Sequence, residues 1–333
     1  MSRLLVILCF AYLLGGCSKE QLLPDTVRPL ERATRSVAAL NHLSRTLQTS
    51  LLQAATAAPG YFVSGLPTAV AVSCPDTAYT LLSGGTQLLE VDFGSACQLS
   101  NGATAGGAFD LINYSPGGLV NATDNAPAFL IFDTLTVNGT VIETRFGPDL
   151  NHTKIVSRST MAPYQFDFKR AQGGGYNVDF ADGSRAYLTA TASDSAFLIL
   201  RTPDLPSIAS FHTLYTRPFR VHLADPPPST NIGAYQDNNL VLLRADGTTY
   251  ANLDANTAVD LDLTFDCQYF QAGTLHLTEG LQLSTDVLRY TVEFGLDAGG
   301  APVPPGSPCD DYRFMRICDY AGGTPSCYTL IQQ

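Results

Sequence analysis

The residues best placed to do chemistry near the start of this chain are Leu14-Gly15-Gly16-Cys17, which form a lipobox. Arg3 supplies a positive start, and Leu4–Leu14 is an apolar run too short to span a bilayer. The two glycines give the small, extended peptide that a lipoprotein signal peptidase cuts. Cys17 then takes lipid and becomes the first residue of the mature chain. One acyl chain holds a protein only marginally, whereas several on one residue anchor it stably. Residues 1–16 are therefore expected to be a signal peptide and residues 17–58 a lipidated N-terminus with a helix. The expected location is the cell envelope, at the outer membrane, on either its periplasmic or its surface side.

The chain has 8 cysteines, and Cys9 leaves with the signal while Cys17 is acylated. Cys74, Cys97, Cys267, Cys309, Cys318 and Cys327 remain, an even set in an oxidising compartment, so disulfides are expected. The most economical pairing is local: Cys74–Cys97, Cys267–Cys309 and Cys318–Cys327. A zinc site is the rival, but no CxxC pair or nearby histidine accompanies these thiols.

Asp260, Asp262 and Asp266 alternate with Val259, Leu261, Leu263, Phe265 and Cys267. Period two places the carboxylates and Thr264 on one strand face, with the cysteine on the buried face. Such a row could bind Ca²⁺ through oxygen ligation, or it could simply be a solvated face that keeps a sheet from pairing. Asp310-Asp311 admits the same two readings. Hydrolysis by paired carboxylates needs two acids in an aromatic-walled cleft. The chain has 15 Tyr but no Trp, and no pair of acids stands out. His42, His152, His212, His222 and His276 are scattered without ligand spacing, and no G-x-S-x-G elbow, P-loop or H-E-x-x-H occurs. No cofactor is expected beyond a possible Ca²⁺.

Any such groups must be positioned by strands. Of the 333 residues, 45% are apolar and 15% charged, with 28 Gly and 20 Pro, which favours sheets and turns around a real core. The formal net charge of −11 argues against a nucleic-acid partner. From about Val27 to Ala55 the pattern is helical, with Leu30, Ala33, Val37, Leu40, Leu47 and Leu51 on one stripe and Leu43 beside it. Arg28, Arg32, Arg35 and Arg45 fall largely on other faces. This helix is expected to pack on the following domain or hold it off the membrane, with a membrane-surface or coiled-coil role as the alternative.

After Tyr61 the chain reads as strands. Leu89, Val91 and Phe93 alternate with Glu90 and Asp92, and Leu288, Tyr290, Val292 and Phe294 alternate with Arg289, Thr291 and Glu293. Asn101-Gly102, Asn138-Gly139, Asp182-Gly183 and Asp246-Gly247 signal tight antiparallel hairpins. A weak repeat runs through it: Cys74, Val91-Asp92-Phe93-Gly94, Cys97 is echoed by Cys267, Val292-Glu293-Phe294-Gly295, Cys309. Phe180–Tyr187 is likewise echoed by Arg244–Tyr250. The expected fold is all-β, with antiparallel, sandwich-like sheets in two related halves (about 61–200 and 201–333, within a domain over 59–333), preceded by one N-terminal α-helix.

The segment from Cys74-Pro75 through Leu89–Cys97 to Asn101-Gly102 resembles a pattern in uncharacterised secreted lipoproteins of the Bacteroidota. Asp246–Tyr250, Cys267, Gly273-Thr274-Leu275, Phe294-Gly295 and Cys309-Asp310-Asp311 are similar to the second half of that group. The resemblance implies a β-rich envelope lipoprotein and supplies no catalytic residue. The C-terminal Cys318–Cys327 hairpin and the Pro-rich Pro302–Pro308 depart from it. The function expected is a non-catalytic binding, adhesion or structural module, whose partners are the membrane through its lipid and an envelope protein or glycan. A glycan-processing or other hydrolytic enzyme is the alternative.

Overall fold

The computed structural model describes residues 28–57, 76–99, 103–144, 153–158, 160, 164–170, 176–190, 196–202, 219–222, 238–263, 267, 269–279, 287–321 and 324–332. The expected helix, α1, spans Arg28–Ala57. Eighteen strands follow: β1 (Asp76–Leu81), β2 (Gln87–Asp92), β3 (Cys97–Gln98), β4 (Thr104–Asn113), β5 (Ala128–Val137), β6 (Thr140–Thr144), β7 (Thr153–Ser157), β8 (Tyr164–Arg170) and β9 (Tyr176–Asp179). The second run is β10 (Arg185–Ala190), β11 (Ala196–Thr202), β12 (Phe219–His222), β13 (Asn238–Leu243), β14 (Thr249–Leu263), β15 (Ala272–Glu279), β16 (Val287–Leu296), β17 (Phe314–Asp319) and β18 (Ser326–Ile331).

The strands form one 18-stranded sheet, and every pairing in it is antiparallel. Strands β14 to β18 pair in chain order, whereas the middle of the sheet pairs strands that are not neighbours in sequence, β6 with β9, β8 with β11 and β10 with β13. β5 is flanked by β6 over one half of its length and by β7 over the other; β14 is likewise flanked by β13 and β12. The strands between them, β9 and β10 on one level and β8 and β11 on the other, keep the two levels parallel across the middle of the sheet. Among the described residues the chain thus adopts the all-β antiparallel class, preceded by one α-helix.

The helix lies within this sheet. It packs against β6, β9, β10, β13 and β17, strands from early and late in the chain. Every residue from Leu30 to Leu47 is buried or half-buried. The layering is sandwich-like because the sheet curls over the helix and shares its core. Leu30, Ala33, Val37, Leu40, Leu43 and Leu47 are buried as the periodicity requires. Ser36, Asn41, Ser44, Thr46 and Ser50 are buried too, which the stripe did not foretell. Several solve the polar problem locally: Ser36 and Ser50 donate their hydroxyls to the carbonyls of Arg32 and Thr46, one turn back.

The strand alternation holds. Leu89, Val91 and Phe93 are buried between exposed Glu90 and Asp92, and Tyr290, Val292 and Phe294 are buried in β16. An aromatic row crosses the early strands, with ring centroids 6.1 Å apart for Phe93–Phe109, 6.2 Å for Phe109–Phe132 and 5.6 Å for Phe132–Tyr176. The Asn138-Gly139 turn has positive φ at both residues, 51° and 78°, as a tight two-residue hairpin demands. The Asp182 and Asp246 turns are built alike. In each the aspartate oxygen accepts from the backbone N–H of the residue after the glycine, and that residue's hydroxyl donates to the same oxygen. Lipobox, Cys74 and Asn101-Gly102 lie outside the described residues.

Candidate functional site

Asn41, His42 and Arg45 occupy adjacent positions on one side of α1, since residues four apart are helical neighbours. With Val137 and Asn138 at the end of β5, Tyr269 before β15 and Gln332 after β18, they line a cavity of about 270 Å³. The helix, an early strand and the late part of the chain therefore each contribute a wall.

The walls are held by backbone-directed hydrogen bonds. Asn138 accepts the Thr104 N–H on its side-chain oxygen at 3.0 Å, while its own N–H donates to the Thr104 carbonyl at 2.8 Å. Gln332 is only 2% exposed. Its oxygen accepts the Phe270 N–H at 3.0 Å, and its amide nitrogen donates to the carbonyls of Phe270 and Tyr312 at 3.0 and 2.7 Å. That clamp fixes the segment bearing Tyr269. The Phe270 ring packs 5.0 Å from that of Phe294.

The Arg45 guanidinium dominates the electrostatics of the described lining. Burial lowers the pKa of the Arg45 guanidinium, with Tyr269 acting weakly the other way. Among the described residues no carboxylate pairs with Arg45. His42 is brought down to about 4, first by burial and then by Arg45, so its imidazole is neutral at pH 7. Its ring meets Phe180 edge-on at 6.2 Å. The cavity thus offers a guanidinium, a neutral imidazole, a phenol and amide groups, a set suited to holding an acceptor-rich ligand.

A second charged cluster gathers on Asp124, at the start of the turn before β5. Lys169 donates to it at 2.6 Å, with Lys154 at 3.5 Å and Arg158 at 3.4 Å. The Lys169 hydrogen bond is the main reason the Asp124 carboxyl titrates below the usual range. Arg158 also bonds Asp167 at 2.5 Å, which raises its own pKa, and Gln165 donates to the other oxygen of Asp167 at 2.9 Å. This cluster sets three cations around the carboxylates of Asp124 and Asp167 and ties β7 and β8 to the turn before β5.

The residues singled out by sequence are placed as follows. Cys267–Cys309 and Cys318–Cys327 are disulfides, with Cα atoms 5.2 and 4.0 Å apart. Cys97 is disulfide-bonded as well; Cys74, its expected partner, lies outside the described residues, as does Cys17. Asp262 is half-buried in β14, and its carbonyl accepts the Gln271 N–H at 2.8 Å. Asp266 and the side chain of Asp260 lie outside the described residues, among which no group of three or more His, Cys, Asp or Glu could hold a metal. Asp310 and Asp311 are exposed on the 3-10 turn Cys309–Tyr312.

One alternation fails. Val259 was expected opposite the aspartates with Leu261 and Leu263, yet it is 58% exposed while both leucines are buried. The β14–β15 register shifts on both sides of Val259, and such a bulge turns a residue out of the pleat. The Arg45 cavity was not foreseen. A usable signal existed: α1 carries four arginines against the single acid Glu31, so its cations must find partners elsewhere.

No protein-family model, curated protein or solved structure matches the chain. No described helix is long and apolar enough to cross a membrane.

Proposed function

We propose that the protein is a lipid-anchored component of the cell envelope, held at the outer membrane through Cys17, that works by binding rather than by catalysis. The lipobox supplies the anchor, and paired cysteines suit an oxidising compartment. The observation that carries this reading is the position of α1. It begins at Arg28, so residues 18–27 can extend at most about 36 Å from Cys17. The helix then enters the core of the sheet, which makes the tether continuous with the body. A β-scaffold held this close to a bilayer presents its loops and its cavity to whatever moves along that surface. The cavity supports recognition, because its described lining presents the Arg45 guanidinium, the His42 imidazole, the Tyr269 hydroxyl and side-chain amides to a bound molecule.

The test is mass spectrometry of the mature N-terminus from native membranes, paired with fractionation of a Cys17→Ala variant. The expected result is a triacylated or diacylated Cys17 and a variant lost from the membrane fraction. An unmodified N-terminus in membrane-bound material would overturn the proposal.

A further inference from the structure

Buried charges in proteins are paired or they are neutralised, because removing an ion from water is costly. Arg35 shows the satisfied arrangement on this same helix: it donates to the Asp182 carboxylate and lies 4.7 Å over the Phe180 ring. Arg45, ten positions on, is the departure. It is half-buried, faces the cavity beside His42 and Tyr269, and among the described residues no carboxylate pairs with it. Guanidinium cannot shed its proton at neutral pH, so its charge needs an acceptor.

We propose that this cavity binds a small organic monocarboxylate, its carboxylate received by Arg45. This deepens the binding reading above by naming a site and a ligand class. The surrounding groups favour such a ligand. His42 is neutral and has an N–H to give; the side-chain oxygen of Asn138 is taken by Thr104, which leaves its amide nitrogen as a donor; Tyr269 adds a hydroxyl. Gln332 is spent on Phe270 and Tyr312 and serves as framework. Val137 and the Tyr269 ring supply apolar surface for the rest of the molecule.

Charge selects the monoanion. One guanidinium compensates one negative charge, and a phosphate dianion would leave excess negative charge in a protein already at −11. Size selects a small molecule, since about 270 Å³ falls just under the range of about 300–1,000 Å³ typical of drug-sized ligands. A planar carboxylate also matches the guanidinium fork in bidentate fashion.

The test uses the full-length protein in detergent, titrated calorimetrically with benzoate, acetate, benzamide and inorganic phosphate. Benzoate is expected to bind with millimolar or better affinity, with benzamide and phosphate at least about tenfold weaker. Arg45→Met is expected to weaken benzoate at least about tenfold, with Arg45→Lys intermediate. The wild-type protein supplies a second measurement that needs no variant: the ¹⁵Nε resonance of Arg45 should shift with benzoate and stay put with benzamide. Equal binding of benzamide or phosphate, an unmoved Arg45 resonance, or undiminished benzoate binding by a folded Arg45→Met protein overturns the proposal. Lipid on Cys17 does not enter this titration, so failure of the anchor and failure of the site are seen separately.

Discussion

The α-carbon of Gly295 lies so close to the Gln271 carbonyl that a β-carbon added there would stand 2.1 Å from its oxygen. Gly295 also has a φ of 75°. Gly94, its counterpart in the echoed Val-acid-Phe-Gly motif, has a φ of 61° and open space around it. Gly295→Ala should therefore cost about 3 kcal/mol or more, from left-handed backbone strain plus a clash with main chain. Gly94→Ala should cost only about 1 kcal/mol, from strain alone. Urea unfolding of the two variants checks the difference; equal losses would contradict it.

Acid should weaken the fold through His42. Its folded pKa of about 4 lies below the unfolded value of 6.5. Folding thus favours the neutral ring, a contribution complete above about pH 6.5 and lost as pH falls toward 4. The loss is about 3 kcal/mol at 1.36 kcal/mol per unit. Arg45 and Tyr269 line the cavity beside it. His42→Gln should flatten the difference in stability between pH 7 and pH 4 relative to wild type. A variant with the same pH slope as wild type would rule this out.

The two defined disulfides should contribute unequally. Cys267–Cys309 closes a separation of 42 residues and Cys318–Cys327 one of 9. On the loop-entropy account these are worth about 4 and about 3 kcal/mol. Paired Cys→Ser replacement should lower Tm more for the first. Cys327 is exposed while Cys267 is buried, so mild reductant should open the C-terminal bridge first, as thiol alkylation followed by peptide mapping would record.

The Asp124 cluster was invisible in sequence because its members lie far apart along the chain and meet only when β7 and β8 align. Asp124→Asn should leave Lys169, 7% exposed, with a weaker partner and cost about 1–2 kcal/mol. A double-mutant cycle with Lys169→Met isolates the pair; zero coupling energy would deny the interaction a stabilising role.

What could be read beforehand followed from local periodicity. The leucine stripe of α1 placed Leu30, Val37, Leu40 and Leu47 inward, and alternation did the same for Leu89, Val91 and Tyr290. Turn chemistry located Asn138-Gly139, Asp182-Gly183 and Asp246-Gly247. Where two elements from distant parts of the chain decide the outcome, periodicity is silent. The polar side of α1 is buried because a sheet wraps it, and nothing within the helix announces that covering. Arg45 reads as a solvent-facing cation until Val137 and Gln332 are brought beside it. Val259 reads as a core residue until the partner strand slips register.

Because α1 precedes the sheet yet is gripped by β17 near the other end of the chain, tension applied at residue 28 enters the protein through its middle. A pull on the N-terminal side would load the helix along its length, like a cable drawn through a sleeve. Resistance would come from many side chains sliding at once, the Arg35–Asp182 link among them, rather than from one hairpin unzipping.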